Sequence, residues 1–146
     1  MSLPERFVEP EVAEDWIRDV LSREPLGAEL TVSGTCMEPA LPEGSKVRLK
    51  AATRPVRTGE IVLLRIEAGL RLHRVVSSFG GWIRTKGDRG IYLDPKVPRH
   101  AVIALCDVNE GRLTRLSRTA VSLGRLLGRP WAAPERGDGA HARLLP

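Results

Sequence analysis

Residues 60–76 read EIVLLRIEAGLRLHRVV, and this stretch decides the fold class. Two runs rich in Ile, Val and Leu flank Glu67-Ala68-Gly69, a link short enough to join neighbouring antiparallel strands directly. Working outward, AELTVSG (28–34), SKVRLKA (45–51), GWIRTKG (81–87) and AVIALCDV (101–108) repeat the texture of short β-branched runs between Gly or Pro. Such punctuation at about ten-residue intervals predicts a small all-β unit of antiparallel hairpins. Phe79-Gly80-Gly81 supplies a second tight link, which leaves His73 in mid-strand between two turns. The expected fold is mainly β: a small, coiled, antiparallel, barrel-like domain over residues 28–111.

The flanks have a different period. From Pro10 to Arg23, the apolar residues Val12, Trp16, Val20 and Leu21 recur near the helical spacing. Glu11, Glu14 and Asp15 come early, and Arg18 and Arg23 late. That order of charges suits the helix dipole, and Pro10 suits a first helical position, so residues 1–27 are expected to carry one amphipathic helix. Pro25 and Gly27 end it. Beyond Gly111, the residues Leu113, Leu116, Ala120, Leu123 and Leu127 predict one side of a second helix over 112–129, with Arg115, Arg118, Arg125 and Arg129 opposite. Residues 130–146 are rich in Gly, Pro and Ala without a period and are expected to form a flexible tail.

A chain of 146 residues with 42% hydrophobic and 28% charged content suits one domain with a genuine core. The net charge of +5 suits an acidic partner, a membrane surface or nucleic acid, and is equally ordinary for a soluble protein. Two cysteines 70 residues apart form neither a disulfide framework nor a paired CxxC zinc pattern, which points to the cytoplasm. No apolar run reaches the ~18 residues of a membrane span, and the acidic start is unlike a secretory signal.

Three side chains carry chemistry. Cys36 follows a predicted strand and is flanked by small polar residues, which places a thiol to be exposed, whereas structural cysteines usually sit in apolar runs as Cys106 does. His73 read alone is a strand histidine satisfied within the sheet, and Asp88 after Gly87 is a common turn residue. Lys86 reads as structural.

Together these segments resemble the signal peptidase and LexA-like peptidase superfamily. GTCMEPALPEGSKV (34–47) is similar to its nucleophile box, with Cys36 where the family has serine. LHRVV (72–76) resembles the box of the general base, and TKGDRGIYLD (85–94) the acidic box after it; GEIVLLR (59–65) fits the strand between the first two boxes. The histidine at the base position resembles the archaeal and endoplasmic-reticulum type rather than the lysine type. The resemblance covers about residues 29–106 and implies an endopeptidase without a cofactor or metal. In it, Cys36 is the nucleophile, His73 the base, Asp88 the carboxylate that orients His73, and Asp94 a second candidate for that role. The backbone at Cys36, with Ser33, Gly34, Thr35 and Met37 around it, is the expected oxyanion and substrate-binding segment. An extended peptide or precursor protein is expected to pair with a strand edge beside Cys36.

Four alternatives stand beside this reading. A degenerate peptidase fold would bind a peptide without cutting it. A zinc site could draw on Cys36, His73, Asp88 and Cys106, although their spacing matches no metal motif. A Cys36–Cys106 disulfide would disable the nucleophile. A self-cleaving repressor needs a DNA-reading helix-turn-helix that 28 residues do not hold, so no specific nucleic-acid binding is expected. The arginine stripe at 115, 118, 125 and 129 is the candidate contact for a peripheral membrane surface or a partner protein.

Overall fold

The computed structural model describes residues 10–67, 69–108, 119–120 and 142–143. A helix, α1 (Pro10–Arg23), is followed by strands β1 (Ala28–Val32), β2 (Lys46–Ala51), β3 (Ile61–Ile66), β4 (Gly69–Phe79), β5 (Trp82–Lys86) and β6 (Val97–Pro98). A single 3-10 turn at Arg99–Ala101 leads into β7 (Val102–Asp107), and Ala142–Arg143 forms β8. All six runs that the sequence marks as strands are strands.

The architecture is mainly β, and it departs from the barrel-like expectation. The strands lie in one antiparallel sheet in the order β6-β5-β4-β3-β7-β2-β1-β8, a linear order that leaves the ladder open at β6 and β8. Burial explains why closure is not required. On one face, Ala13, Ile17 and Leu21 of α1 join Leu30, Leu49, Leu63 and Leu72 in a single apolar cluster. The helix packs on this cluster, and the sheet bends far enough to bring β8 beside β4 without closing its ladder. A second cluster, built from Val56, Val62, Leu64, Val75, Ile83 and Val102, fills the other face. β3 contributes Leu63 to one cluster and Val62 and Leu64 to the other, which is why IVLL reads as an unbroken apolar run instead of alternating.

α1 has the predicted span with a rotated face. Its buried stripe is Ala13, Ile17 and Leu21, spaced by four, with Trp16 packed beside it, whereas Val12 is 58% exposed. Glu14 lies between Arg18 of its own helix and Arg65 of β3, tying the helix to the sheet through polar contacts as well.

Two links set the register that matters for the site. β3 and β4 pair so that Val62 faces His73. β4 and β5 join through Gly80 and Gly81, both at positive φ (59° and 83°), the backbone that a two-residue hairpin turn of this hand demands. Thr119 and Ala120 are helical, but Arg115, Arg118, Arg125 and Arg129, and with them the body of the expected 112–129 helix, lie outside the described residues. Most of the expected 130–146 tail does too; within it, Ala142 and Arg143 pair with β1 as a strand. Among the described residues no helix is long and apolar enough to cross a membrane.

Candidate active site

The loop after β1 presents Cys36, and the residues around it explain how it is held. Gly34 takes φ of 87° and its amide donates to a carboxylate oxygen of Glu43 (3.2 Å). The Met37 side chain is fully buried in the main apolar cluster and anchors the next position. Glu38 N–H donates to the Thr35 carbonyl (3.1 Å) and Leu41 N–H to that of Met37 (2.9 Å), and the Glu38–Pro39 peptide is cis. From across the molecule, the Arg89 amide donates to the Cys36 carbonyl (2.9 Å), and the Arg89 guanidinium meets Glu38 (3.0 Å). The thiol-bearing loop is therefore strapped to the segment after β5.

That strapping brings the sulfur to the ring. Cys36 Sγ lies 3.3 Å from Nε2 of His73, a hydrogen-bonding distance for sulfur. On its other side, Nδ1 of His73 hydrogen-bonds Oδ2 of Asp94. The same Oδ2 accepts from Thr85 Oγ1 (2.6 Å), and the Asp94 amide donates back to the Thr85 carbonyl (2.9 Å). Thr85 is fully buried, His73 almost so, and Cys36 is half-buried.

Asp88, the carboxylate first expected beside His73, is bonded to Arg74 instead, and Asp94 is the carboxylate that meets the ring. Arg74 grips Asp88 with two parallel bonds, Nε to Oδ1 and Nη2 to Oδ2, each 2.7 Å, and donates through Nη1 to the Gly59 carbonyl (2.8 Å). His73 and Arg74 are neighbours on β4, and strand alternation sends them to opposite faces. One carboxylate then meets the imidazole and the other the guanidinium. Arg74 is completely buried, and the bidentate geometry with a further carbonyl acceptor is what makes such a charge tolerable there.

The electrostatics of His73 follow from these neighbours. Burial pushes its pKa down; the hydrogen bonds to Asp94 and Cys36 and the Asp94 charge push it up and prevail, holding it at about 9 against the ordinary 6.5. Near neutrality the ring thus carries both protons, with one N–H facing the carboxylate and the other facing the sulfur.

Of the residues expected to line an oxyanion or substrate site, Ser33 and Thr35 are half-buried in the Cys36 loop. The Gly34 amide is bonded to Glu43, and the Met37 side chain belongs to the core. Cys36 and Cys106 are thiols and are not joined in a disulfide. Among the described residues, no group of three His, Cys, Asp or Glu side chains is placed to hold a metal ion.

The sequence reading gave no role to Thr85, Arg74 or Gly87. Gly87 sits so close that a Cβ on it would fall 2.9 Å from the Cys36 carbonyl oxygen and 3.3 Å from His73 Nε2. Its neighbour Lys86 is fully buried and donates to the Gly87 carbonyl (2.9 Å). The TKGD run was the available signal: Thr85, Lys86, Gly87 and Asp88 each contact the site or its support.

Two grooves elsewhere, one bounded by Lys50, Arg54, Glu60 and Asp107 and one by Arg18, Pro55, Arg99 and His100, include neither Cys36 nor His73. No family model matches the chain, and no curated protein or solved structure matches it in comparison.

Proposed function

We propose that this protein is an endopeptidase in which Cys36 is the nucleophile, His73 the proton carrier and Asp94 the group that orients His73. The reading extends the resemblance to histidine-base signal peptidases, with sulfur in place of the serine oxygen. One observation carries it. Three segments remote in sequence converge on a continuous chain of contacts, from sulfur to ring nitrogen and from the other ring nitrogen to a carboxylate.

The chemistry assigned to each group is conventional for such a chain. Sγ, as thiolate, attacks a peptide carbonyl, and Nε2–H passes its proton to the departing amine as the C–N bond breaks and a thioester forms. The ring, now neutral, takes a proton from water as that water attacks the thioester and the C–S bond breaks, releasing the carboxylic acid and restoring the thiolate beside the charged ring. Asp94 keeps Nδ1–H fixed, so that Nε2 always faces the sulfur. A substrate laid beside β1 as an extended strand would present its scissile carbonyl in a fixed register.

The test combines reactivity with turnover. The rate of Cys36 alkylation by iodoacetamide, followed against pH in a Cys106→Ser background, is expected to depend on His73. Cleavage of a mixed peptide library is expected to vanish in both Cys36→Ala and His73→Ala. Identical alkylation profiles with and without His73 would overturn the proposal. Retention of a bound peptide by both variants, with no cleavage by the parent protein, would mark the fold as a binding module instead.

A further inference from the structure

The strand that leads into Cys36 is covered on its outer edge by the protein's own C-terminal segment. β1 pairs with β2 on its inner side through Ala28, Glu29, Leu30 and Thr31. On its outer side it pairs with β8, antiparallel, with Thr31 opposite Arg143 and Val32 opposite Ala142. Val32 stands four positions before Cys36, and β8 also lies beside β4, the strand that carries His73. The occupied edge therefore adjoins both the sulfur-bearing loop and the ring-bearing strand.

The backbone at this edge has a definite polarity. Val32 directs its groups inward: its amide donates to Ser45 O and its carbonyl accepts from Gly44 N, both at 2.8 Å. Successive residues of a strand turn their N–H and C=O to opposite edges, so those of Thr31 face outward, toward Arg143. An extended chain laid here uses the outward groups of Thr31 and Glu29 as its docking points. Because the pairing is antiparallel, a chain running backward from Arg143 through Ala142 travels toward the Cys36 end of β1.

We propose that Ala142–Arg143 is a built-in occupant of the β1 edge beside Cys36, one that an incoming peptide must displace. The inference rests on the peptidase reading, takes over from it the strand-edge docking of the peptide, and adds regulation in cis. A tethered segment acts at an effective concentration on the order of millimolar, which lets even a weak contact compete with dilute peptides. Its hold is modest by construction. Among the described residues, β8 pairs with two of the five residues of β1, so a peptide that pairs along more of the strand gains further backbone hydrogen bonds and replaces it.

Two variants test this: a chain ending at Asp138, and full-length Arg143→Pro, which deletes the amide facing Thr31. Cys36 is challenged with iodoacetamide, which needs no docking, and with an acylated tripeptide chloromethyl ketone, which does; in both cases sulfur displaces halide. The expected result is an about tenfold faster reaction with the peptidyl reagent in both variants, iodoacetamide rates within about twofold of the parent, and reversal when a synthetic peptide of residues 136–146 is added. Amide exchange supplies a readout independent of the chemistry: the Thr31 amide should exchange faster in both variants, while Val32, bonded to Ser45, stays protected. Unchanged peptidyl rates or unchanged Thr31 exchange would overturn the proposal. Failure of the underlying peptidase reading registers differently, as iodoacetamide labelling that ignores His73, and it removes the inhibitory role even where the exchange result shows the segment docked.

Discussion

Gly87 lies against Cys36 so closely that any side chain at this position would collide with the backbone of the thiol-bearing residue. Because the first contact, at 2.9 Å, is with a carbonyl oxygen and not with a flexible side-chain end, the strain cannot be absorbed by a rotamer change. Gly87→Ala should therefore move the Cys36 loop away from His73 at a stability cost of about 1–3 kcal/mol. The fold should survive, as judged by circular dichroism, while the dependence of Cys36 alkylation on His73 is lost. A variant that melts normally and keeps that dependence would show that the close approach is incidental.

The two aspartates should separate cleanly. Asp94→Asn removes the charge and the charged hydrogen-bond partner that raise His73 most, so its ring should titrate below about 9 in a ¹⁵N NMR titration. Peptide cleavage should fall by about 10²–10⁴, the scale seen when an orienting carboxylate is neutralised. Asp88→Asn should act on stability instead, because it leaves Arg74 buried without its full partner; breaking such a pair typically costs about 3–5 kcal/mol. Its His73 titration should match the parent. The reverse pattern would return Asp88 to the role first expected of it.

Stability should report the same site through its pH dependence. The pKa of His73 is higher folded, at about 9, than its ordinary 6.5, so the folded state binds this proton more tightly. Its contribution is complete below pH about 6.5 and is lost as pH rises through about 9. Urea denaturation of the parent and of His73→Asn should show a gap that is widest near pH 6 and narrows toward pH 10. A gap that widens over that interval would contradict the balance of burial and Asp94 described for the ring.

The helix offers a test of the open sheet. Ile17 is buried under α1 and Val12 is not, although both are apolar and sit five residues apart on one helix. Ile17→Ala should cost about 2–5 kcal/mol, and Val12→Ala no more than about 0.5. Equal costs in chemical denaturation would mean that the helix does not cover the sheet along the stripe observed.

The strands were readable from local texture because each short apolar run is bounded by Gly or Pro, and Gly80-Gly81 even announced its turn. Closure was not readable. Whether a sheet's ladder closes into a barrel depends on which surfaces pack, and the expected face of Val12, Trp16, Val20 and Leu21 meets the Ala13, Ile17 and Leu21 stripe that packs only at Leu21, with Trp16 beside it. Alanine is too weakly apolar to have pointed to that stripe. At the site, Cys36 and His73 stood out by residue type and by motif, whereas the division of labour between Asp88 and Asp94 did not. That division depends on His73 and Arg74 leaving one strand in opposite directions, and a sequence cannot say which carboxylate meets which face until the 85–94 segment is folded back.

The placement of His73 and Arg74 side by side makes the alignment of one strand answerable for two unlike tasks. A slip of β4 by a single position would turn the imidazole toward the carboxylate meant for the guanidinium, and the guanidinium toward the sulfur. Such a misaligned chain would part the imidazole from the thiol and strand a permanent charge in the interior. Errors in threading this strand thus penalise themselves thermodynamically, and molecules that fold at all emerge with the reactive groups correctly facing one another.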